Sequence, residues 1–532
     1  MHILIASAIA FIAMSVASIM ELRRDLMMLQ QNSYRPERYM RWLRAAGDTT
    51  SVAHLMAYII FLSALVTLPL ELFAYTAMAI FGVCRTWQLA TKKYKKPLVM
   101  TARARRIFAV DILICLIIGA IFVAIFGHPY IDNIVKTTAI TAMGLFCGAH
   151  VVTLAAVNVL KPVDNAINRK FYNAAAKRLA DMPDLKIIGI TGSYGKTSTK
   201  HYLHRILSEH FDTLMTPGSF NTTLGVTRTI NEQLKPYNQV FIVEMGAKQT
   251  GDIKEICDLV HPHIGIITAV GPQHLETFKI IENVRETKFE LADSLPADGL
   301  AIINNDFEAS HGRNVDNARS VRYGVSHPDG CAFTATDIAY SADGTDFTIS
   351  GPDGFTLAIH TQLVGECNIS NLIAAVIVAL ELGVPATKIQ YAVSTIQQVE
   401  HRLQMRHVPG NITIIDDAFN SNPSGSRMAL DVLARMNTGN RIVITPGMIE
   451  LGDMQQELNK EFGRHMAACC DYAFIVCEYN RDAILSGLKE AGFAEDHIEC
   501  FDTFLHAHAR AMQLASPGST ILIENDLPDT FK

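Results

Sequence analysis

The pattern of apolar and polar positions changes near residue 160. Before that point the apolar runs are long and nearly free of charge, whereas later runs are short and alternate with amphipathic stretches. A helix of about 20 apolar residues is long enough to cross the hydrocarbon core of a bilayer. The pattern therefore predicts an α-helical membrane region followed by α/β structure. About five transmembrane helices are expected, over Met1–Met20, two within Val52–Cys84 with a turn near Pro69, Ile107–Phe126 and Thr137–Leu160.

The distribution of basic residues predicts how this region is oriented. Arginines and lysines are concentrated after the first, third and fifth expected helices, while the two other loops hold at most one lysine. Short loops rich in Lys and Arg stay on the cytoplasmic side. We therefore expect a multi-pass protein of the inner (cytoplasmic) membrane, with its N-terminus outside and its later domains in the cytoplasm. The first helix lacks a basic start and a cleavage site, which favours an anchor over a removable signal.

Beyond the membrane region, short apolar runs alternate with helical patterns, which is typical of doubly wound α/β sheets. One group of strands is expected over Leu185–Ile190, Val240–Glu244, Ile264–Val270 and Leu300–Asn304, and a second over Asn411–Ile415, Ile442–Thr445, Ala473–Val476 and Ile521–Ile523. The chain is thus expected to hold a membrane region at 1–180, a central domain at 181–400 and a Rossmann-like C-terminal domain at 401–532.

A glycine loop between the first of these strands and an amphipathic helix is the candidate for phosphate binding. In such loops the backbone N–H groups and the helix N-terminus bind a polyphosphate, the lysine reaches the β- and γ-phosphates, and the following hydroxyl ligates Mg²⁺. The strict pattern has glycine where this chain has Ile190. The expected contacts to ATP are Gly192, Ser193, Gly195, Lys196, Thr197 and Ser198.

Three polar residues lie at or beyond the carboxyl ends of neighbouring strands, where ligands bind in such sheets. Glu244 ends a strand, His274 follows the next, and Lys288 lies on a later helix. A carboxylate and a neutral imidazole are suitable Mg²⁺ ligands beside a nucleotide. Each of the three residues taken alone also fits an ordinary solvated side chain.

The charge and cysteine content of the chain indicate which partners and which cellular setting to expect. The net charge is −6 and 18% of residues are charged, so no general nucleic-acid surface is expected. None of the ten cysteines falls in a CxxC spacing, which favours a reduced, cytosolic setting for them.

With these motifs in order, the chain from about Asp184 to Leu522 resembles the Mur ligase family. The resemblance rests on the glycine loop, on Glu244-Met-Gly-Ala, on His274-Leu-Glu and on Lys288. It implies ATP and Mg²⁺ as cofactors, Thr197, Glu244, His274 and a carbamylated Lys288 as metal ligands, and Lys196, Lys288, His274 and Arg402 as catalytic residues. It also implies that Asn221 and Thr222 lie in a loop that touches the acyl substrate.

Further segments extend the resemblance into the C-terminal half. Gly365-Glu-Cys-Asn368-Ile-Ser-Asn371 is similar to the family segment near adenine, with Cys367 in place of a histidine. Asp416-Asp417-Ala-Phe419-Asn420 is similar to another family motif, with Phe419 in place of a tyrosine. The implied nucleotide contacts are Asn368, Asn371, Arg402 and Asp417, and Asn420 is implied on the substrate side.

Two departures bear on the substrates. The motifs are most similar to those of the dipeptide-adding branch, yet Glu524-Asn-Asp stands where that branch has a Lys-Gly-Ser-Arg segment. The helical region also stands where the family has a UDP-sugar-binding domain.

The resemblance therefore implies an ADP-forming amide-bond ligase that adds an amino acid or dipeptide amine to a carboxylate-bearing peptide or lipid-linked acceptor. Membrane lipid is an expected partner and nucleic acid is not. Two alternatives stay open: a membrane-bound poly-γ-glutamate-type synthetase and a non-catalytic membrane scaffold that senses nucleotide.

Overall fold

The computed structural model describes residues 1–66, 71–94, 96–127, 130–341, 344–419, 421–436 and 438–527. Met1–Asn168 form one compact unit and Arg169–Asp526 form another. The predicted turn near Pro69 and the predicted substrate residue Asn420 lie outside the described residues.

The first unit, here called the helical unit, contains helices and no strand within its described residues. They are α1 (His2–Gln31), α2 (Pro36–Ala45), α3 (Val52–Val66), α4 (Glu71–Thr91), α5 (Ala102–Phe126), α6 (Ile131–Cys147) and α7 (Ala149–Ala180), with a 3₁₀ turn at Asp48–Thr50. Small residues let α1 and α4 approach closely: a Cβ on Gly82 would lie 2.8 Å from the backbone of Ala13. Met14, Met78 and Phe146 fill the core between α1, α4 and α6.

The expectation of five membrane spans is wrong in its number. Among the described residues, two helices are long and apolar enough to cross a membrane, α1 and α5, or three if α6 and α7 form one bent span. The expected span over residues 137–160 is broken at Gly148, where α6 and α7 meet at 75°. The expected pair within residues 52–84 contains α3, a shorter apolar helix. Counting apolar residues overlooked these breaks because a run can be apolar without being one straight helix.

The second unit contains two sheets, and the larger has nine strands in the order β2-β3-β1-β4-β5-β6-β7-β8-β9. Along this order each pair of neighbours from β2 as far as the β6–β7 pair is parallel, whereas β8 is antiparallel to both β7 and β9. The strands are β1 (Lys186–Thr191), β2 (Thr213–Met215), β3 (Val240–Glu244), β4 (Ile264–Ile267), β5 (Leu300–Asn304), β6 (Arg319–Gly324), β7 (Phe333–Ser341), β8 (Gly344–Ser350) and β9 (Thr356–Thr361).

Helices cover this sheet as expected for a doubly wound fold. They are α8 (Lys196–Leu207), α9 (Thr223–Glu232), α10 (Asp252–Val260), α11 (Leu275–Phe278), α12 (Ile281–Asp293), α13 (Glu366–Glu381) and α14 (Ala386–Ser394). The predicted central strands are confirmed, and β1 lies between β3 and β4, so the chain reverses direction across the sheet there. Ligands bind at such reversals, at the carboxyl ends of the strands.

The C-terminal sheet has six strands in the order β10-β11-β15-β12-β13-β14, and only β10 is antiparallel to its neighbour among the described residues. The strands are β10 (Gln404–Val408), β11 (Ile412–Asp417), β12 (Arg441–Thr445), β13 (Tyr472–Val476), β14 (Ile498–Phe501) and β15 (Thr520–Glu524). The helices are α15 (Pro423–Ala434), α16 (Gln455–Cys469), α17 (Arg481–Glu490) and α18 (Phe504–Leu514). The predicted second Rossmann-like sheet is confirmed.

Candidate active site

The glycine loop follows β1 and leads directly into α8. Gly192 and Gly195 have φ of +150° and +78°, which glycine adopts without steric cost. A Cβ on Gly192 would lie 2.2 Å from Thr268 Oγ1, and one on Gly195 would lie 2.4 Å from Asn371 Oδ1. Both positions therefore require glycine because neighbouring side chains close against the loop.

Hydrogen bonds from the segment after β4 hold the loop in place. The Ser193 N–H donates to Ala269 O at 2.8 Å, and the Ser193 hydroxyl donates to Gly271 O at 2.9 Å. Lys196 Nζ folds back and donates to Gly192 O at 2.6 Å, so its charge lies over the loop. Burial lowers the pKa of Lys196 to about 8, with repulsion from Arg402 adding to the effect and attraction to Glu244 opposing it.

A buried carboxylate lies beside the first turn of α8. The Thr197 hydroxyl donates to Glu244 Oε1 at 3.2 Å, and Asn221 Nδ2 donates to the same oxygen at 3.1 Å. Lys200 Nζ forms an ion pair with Glu244 Oε2 at 2.9 Å, and the side chains of Lys200 and Glu244 are 0% and 1% exposed. Burial alone would raise the pKa of Glu244, but Lys200 and Lys196 lower it, so the carboxylate stays ionised.

Two further candidate residues of the site come from the next helices: Lys288 lies on α12, and His274 immediately precedes α11. Lys288 is buried, and burial together with repulsion from Lys196 lowers its pKa well below the ordinary value. His274 Nδ1 pairs with the Glu450 carboxylate. Both His274 and Glu450 have positive φ, 52° and 63°, a strained backbone that side chains other than glycine rarely adopt. Strain of this kind concentrates where a binding site fixes the backbone.

Residues from the C-terminal sheet and the segments next to its strands complete the site. The Arg402 guanidinium lies 4.4 Å from the centroid of the Phe419 ring, and Asp417 Oδ1 accepts from the Leu403 N–H at 3.1 Å. Burial raises the pKa of Asp417 to about 6, although Arg402 opposes this. Glu524 lies beside Asp417 on the neighbouring strand and accepts from the Ser421 hydroxyl at 2.5 Å.

Three predicted contact residues have structural partners of their own. Asn368 Oδ1 accepts from the Tyr202 hydroxyl at 2.8 Å, and Asn371 Oδ1 accepts from the Thr199 hydroxyl at 3.1 Å. The Thr222 hydroxyl caps α9 by accepting from the Gly225 N–H at 3.3 Å. Ser198 is buried in the first turn of α8. Roles of these residues in binding nucleotide or substrate stay predictions.

Two residues of the site were not predicted from sequence. Lys200 lies four residues after Lys196 and is buried, as are Tyr202 and Leu203; a lysine within a helix rich in buried positions was the available signal. Glu450 lies in a loop after β12, and only the fold brings it to His274.

The fold and the site together define a phosphate-loop α/β protein with a second, Rossmann-like domain. Residues 190–379 match the Mur ligase middle domain, and residues 401–524 match the Mur ligase, glutamate ligase domain. These matches together cover more than half of the chain, and the chain belongs to the Mur ligase family.

Among curated proteins, the chain is 30% identical over 279 residues to the UDP-N-acetylmuramoyl-tripeptide–D-alanyl-D-alanine ligase of Escherichia coli (strain K12). That match covers 52% of this chain and 61% of the relative. The protein with the same name in Mycobacterium tuberculosis (strain ATCC 25618 / H37Rv) is 32% identical over 253 residues, which is 47% of this chain and 49% of the relative. The chain thus spans less than two thirds of these relatives.

Solved structures give the same picture. Crystal structure I of MurF from Acinetobacter baumannii matches with a TM-score of 0.61 and 27% identity, over 67% of this chain and 77% of that one. MurF ligase from Thermotoga maritima, solved in complex with ADP, has a TM-score of 0.60 at 22% identity, over 68% of this chain and 80% of that one. At 22% identity, the match to the Thermotoga maritima structure shows a shared fold and nothing more.

Proposed function

We propose that the protein is an ATP-dependent, ADP-forming amide ligase that acts through an acyl phosphate. It joins the carboxylate of a cell-wall peptide precursor to the amine of an amino acid or dipeptide. The observation that carries this proposal is the position of Lys196 over a glycine loop beside the buried Thr197–Glu244 pair. Membership of the Mur ligase family and the names of the relatives support it.

The residues around the loop fit ATP and Mg²⁺. The glycines allow the backbone to approach a polyphosphate, and Lys196 offsets charge on the phosphoryl group during transfer. The Thr197 hydroxyl and the Glu244 carboxylate are adjacent oxygen donors of the kind that Mg²⁺ prefers. Bound there, Mg²⁺ would neutralise part of the phosphate charge. Lys200 keeps Glu244 ionised, which such a ligand requires.

Lys288 is proposed to be carbamylated. A carbamate forms when an uncharged amine adds to CO₂ and releases a proton, and burial favours the uncharged amine at Lys288. The product is an anionic oxygen donor. Together with the His274 imidazole it would hold a second Mg²⁺ near the acceptor carboxylate.

The C-terminal domain is proposed to close over the reacting groups. The His274–Glu450 pair joins the segment after β4 to the loop after β12, and Arg402 is near enough to Lys196 to lower its pKa. Arg402 and Asp417 would contact the nucleotide. Exclusion of water protects an acyl phosphate from hydrolysis until the amine attacks.

The substrate residues Asn221, Thr222 and Asn420 are proposed to contact the acceptor and the amine. Asn221 donates to Glu244 Oε1, which supports a position next to the proposed metal. Glu524 stands where the dipeptide-adding branch is basic, so the amine need not be the one named for the relatives.

The helical unit is proposed to attach the enzyme to a membrane. Large apolar side chains are exposed along its helices, among them Ile12, Phe73, Leu116 and Ile125, each of which is 63–73% exposed. Three spans (α1, α5 and the bent pair of α6 and α7) would place the N-terminus outside and the catalytic domains in the cytoplasm. The basic residues of α2 and of the segment before α5 would then face the cytoplasm, where they could bind the anionic headgroup of a lipid-linked acceptor.

ADP release tests the proposed function. The full chain is purified in detergent and offered ATP, Mg²⁺, soluble or lipid-linked muramoyl peptides, and candidate amines, and new amides are identified by mass spectrometry. Lys196→Ala should lower turnover by about 100-fold or more, because such electrostatic groups contribute that much. Lys254→Ala removes an exposed lysine that pairs with Asp258 and should leave turnover unchanged.

The outcomes separate the alternatives. Repeated addition of glutamate would favour the poly-γ-glutamate-type synthetase. Nucleotide binding without ADP release for any pair of substrates would favour the scaffold. Equal turnover of Lys196→Ala and Lys254→Ala would contradict the assigned phosphate site.

A further inference from the structure

The helical unit contains a buried cluster of charged and imidazole side chains remote in sequence from the ligase motifs. It consists of Asp48 from the 3₁₀ turn, His54 from α3 and His150 from α7, backed by Glu21 and Asp25 from α1. One donor atom from each of Asp48, His54 and His150 lies within 4.8 Å of the other two. His54 is 0% exposed, His150 5% and Asp48 9%. Four separate elements thus converge on one interior point.

Each imidazole ring is held in place through its Nδ1 atom, while its Nε2 atom is directed toward the other members of the cluster. His150 Nδ1 lies 2.8 Å from Asp25 Oδ2 and 3.2 Å from the Tyr39 hydroxyl, while His54 Nδ1 lies 3.0 Å from the Ser51 hydroxyl. Metal-binding histidines use one nitrogen in this way, and the partner fixes the tautomer that leaves a lone pair on the other nitrogen.

The inner atoms lack hydrogen-bond partners among the described residues. They are His54 Nε2, His150 Nε2 and Asp48 Oδ2. His150 Nε2 lies 3.4 Å from Asp48 Oδ2, and His54 Nε2 lies 3.9 Å from Glu21 Oε1. A buried polar atom without a partner is costly, so three that converge on one point indicate a ligand.

The charges of the cluster point to a cation. Three carboxylates, from Glu21, Asp25 and Asp48, line the cluster, and two guanidiniums pair with two of them, Arg24 with Glu21 and Asp48 and Arg85 with Glu21. With neutral imidazoles, one negative charge is uncompensated in the interior, which is unfavourable.

We propose that Asp48, His54 and His150 bind a divalent transition-metal ion of the Zn²⁺ class, with Glu21 near enough to become a fourth ligand. Two imidazole nitrogens and one carboxylate suit such an ion better than Mg²⁺, which prefers oxygen ligands. The ion links the 3₁₀ turn, α3 and α7. This site is separate from the proposed ligase chemistry and does not depend on it.

Metal content and a Co²⁺ spectrum test the proposal. The full chain, carrying an affinity tag without histidine, is purified in detergent without nucleotide and with excess Mg²⁺, which occupies oxygen-rich sites. We expect one Zn²⁺ or Co²⁺ per chain. His54→Gln and His150→Gln should each lower the affinity by about 100-fold or more, and Asp25→Asn, which changes only an orienting partner, by roughly 10- to 100-fold.

A second group of potential ligands supplies the matched control. Asp431, His465 and Cys469 also lie within reach of one ion, and this group includes a sulfur. His465→Gln should leave the bound metal unchanged, and Co²⁺ in the wild-type chain should show no thiolate-to-metal charge-transfer band. Because the spectrum uses the wild-type chain, it remains decisive even if a cluster variant fails to fold.

Three results would overturn the proposal. One is a wild-type chain that binds no stoichiometric Zn²⁺ or Co²⁺. Another is a thiolate band together with loss of metal in His465→Gln. The third is metal binding that is unchanged in folded His54→Gln and His150→Gln, which would leave the cluster as an ion-pair network with protonated imidazoles.

Discussion

Replacement of Lys200 by methionine tests how the site keeps Glu244 ionised. The change removes the ammonium group that lies 2.9 Å from Glu244 Oε2, in a pair whose side chains are 0% and 1% exposed. Loss of one partner of a buried ion pair costs about 3–5 kcal/mol. Lys196 and Asn221 still interact with Glu244, so we expect the lower end, about 3 kcal/mol.

Hydrogen exchange is the suitable assay because both tryptophans, Trp42 and Trp87, lie in the helical unit and do not report on this site. Exchange of the β3 amides reports local opening around Glu244. A loss of about 3 kcal/mol corresponds to roughly 100-fold faster exchange. The loss should grow with pH, because in the variant burial favours protonated Glu244, whereas Lys200 keeps the wild-type pKa low.

A second substitution provides the control. Glu244→Gln in the Lys200→Met background should restore most of the protection, because a neutral amide needs no counter-charge. Lys254→Met removes an exposed i,i+4 pair and should cost no more than about 0.5 kcal/mol. The reasoning would be refuted if Lys200→Met left the protection of the β3 amides unchanged. It would also be refuted if Glu244→Gln failed to restore that protection in the Lys200→Met background.

Three further changes test other parts of the site. Lys288→Ala should abolish ADP release and recover part of it with a short carboxylic acid, whose oxygens replace those of the carbamate. Gly195→Ala should lower ADP release by about 100-fold, because its Cβ would lie 2.4 Å from Asn371 Oδ1, whereas Gly251→Ala, also at positive φ but in open space, should not. The stability advantage of Glu524→Gln over wild type should grow as pH rises from 5 to 8, and urea unfolding followed by circular dichroism measures it. Burial and Asp417 raise the pKa of Glu524, so ionisation destabilises the wild-type fold above the unfolded pKa of about 4.3.

Each of these predictions has a clear contrary result. Absence of rescue by any acid, with activity insensitive to bicarbonate, would make Lys288 an ordinary buried lysine. Equal effects of the two glycine substitutions would assign the loss to backbone strain rather than to the contact with Asn371. A Glu524→Gln variant whose stability parallels wild type across this pH range would mean that Glu524 does not titrate there.

Local sequence was sufficient to predict the phosphate loop, because its strand, glycines and helix are contiguous. The strands that end at Glu244 and Asn304 were predicted for the same reason, since each is a short apolar run with polar residues beyond it. Polar residues of the site such as His274 could be proposed from their positions after strands.

Residues that act through tertiary contacts could not be predicted in this way. Lys200 pairs with Glu244 only because α8 packs on β3, and Glu450 reaches His274 from the other domain. In the helical unit, composition showed apolar runs but not the break at Gly148. The cluster around His54 was missed because its members are dispersed over more than a hundred residues.

Transfer of oxygen from acceptor to phosphate tests the central claim most directly. The acceptor carboxylate is labelled with ¹⁸O, and the full chain is given ATP, Mg²⁺ and an amine. An acyl phosphate requires that each new amide be accompanied by one ADP and by one phosphate that carries an ¹⁸O atom from the acceptor. Phosphate that carries oxygen only from water, or ADP without amide, would contradict the account.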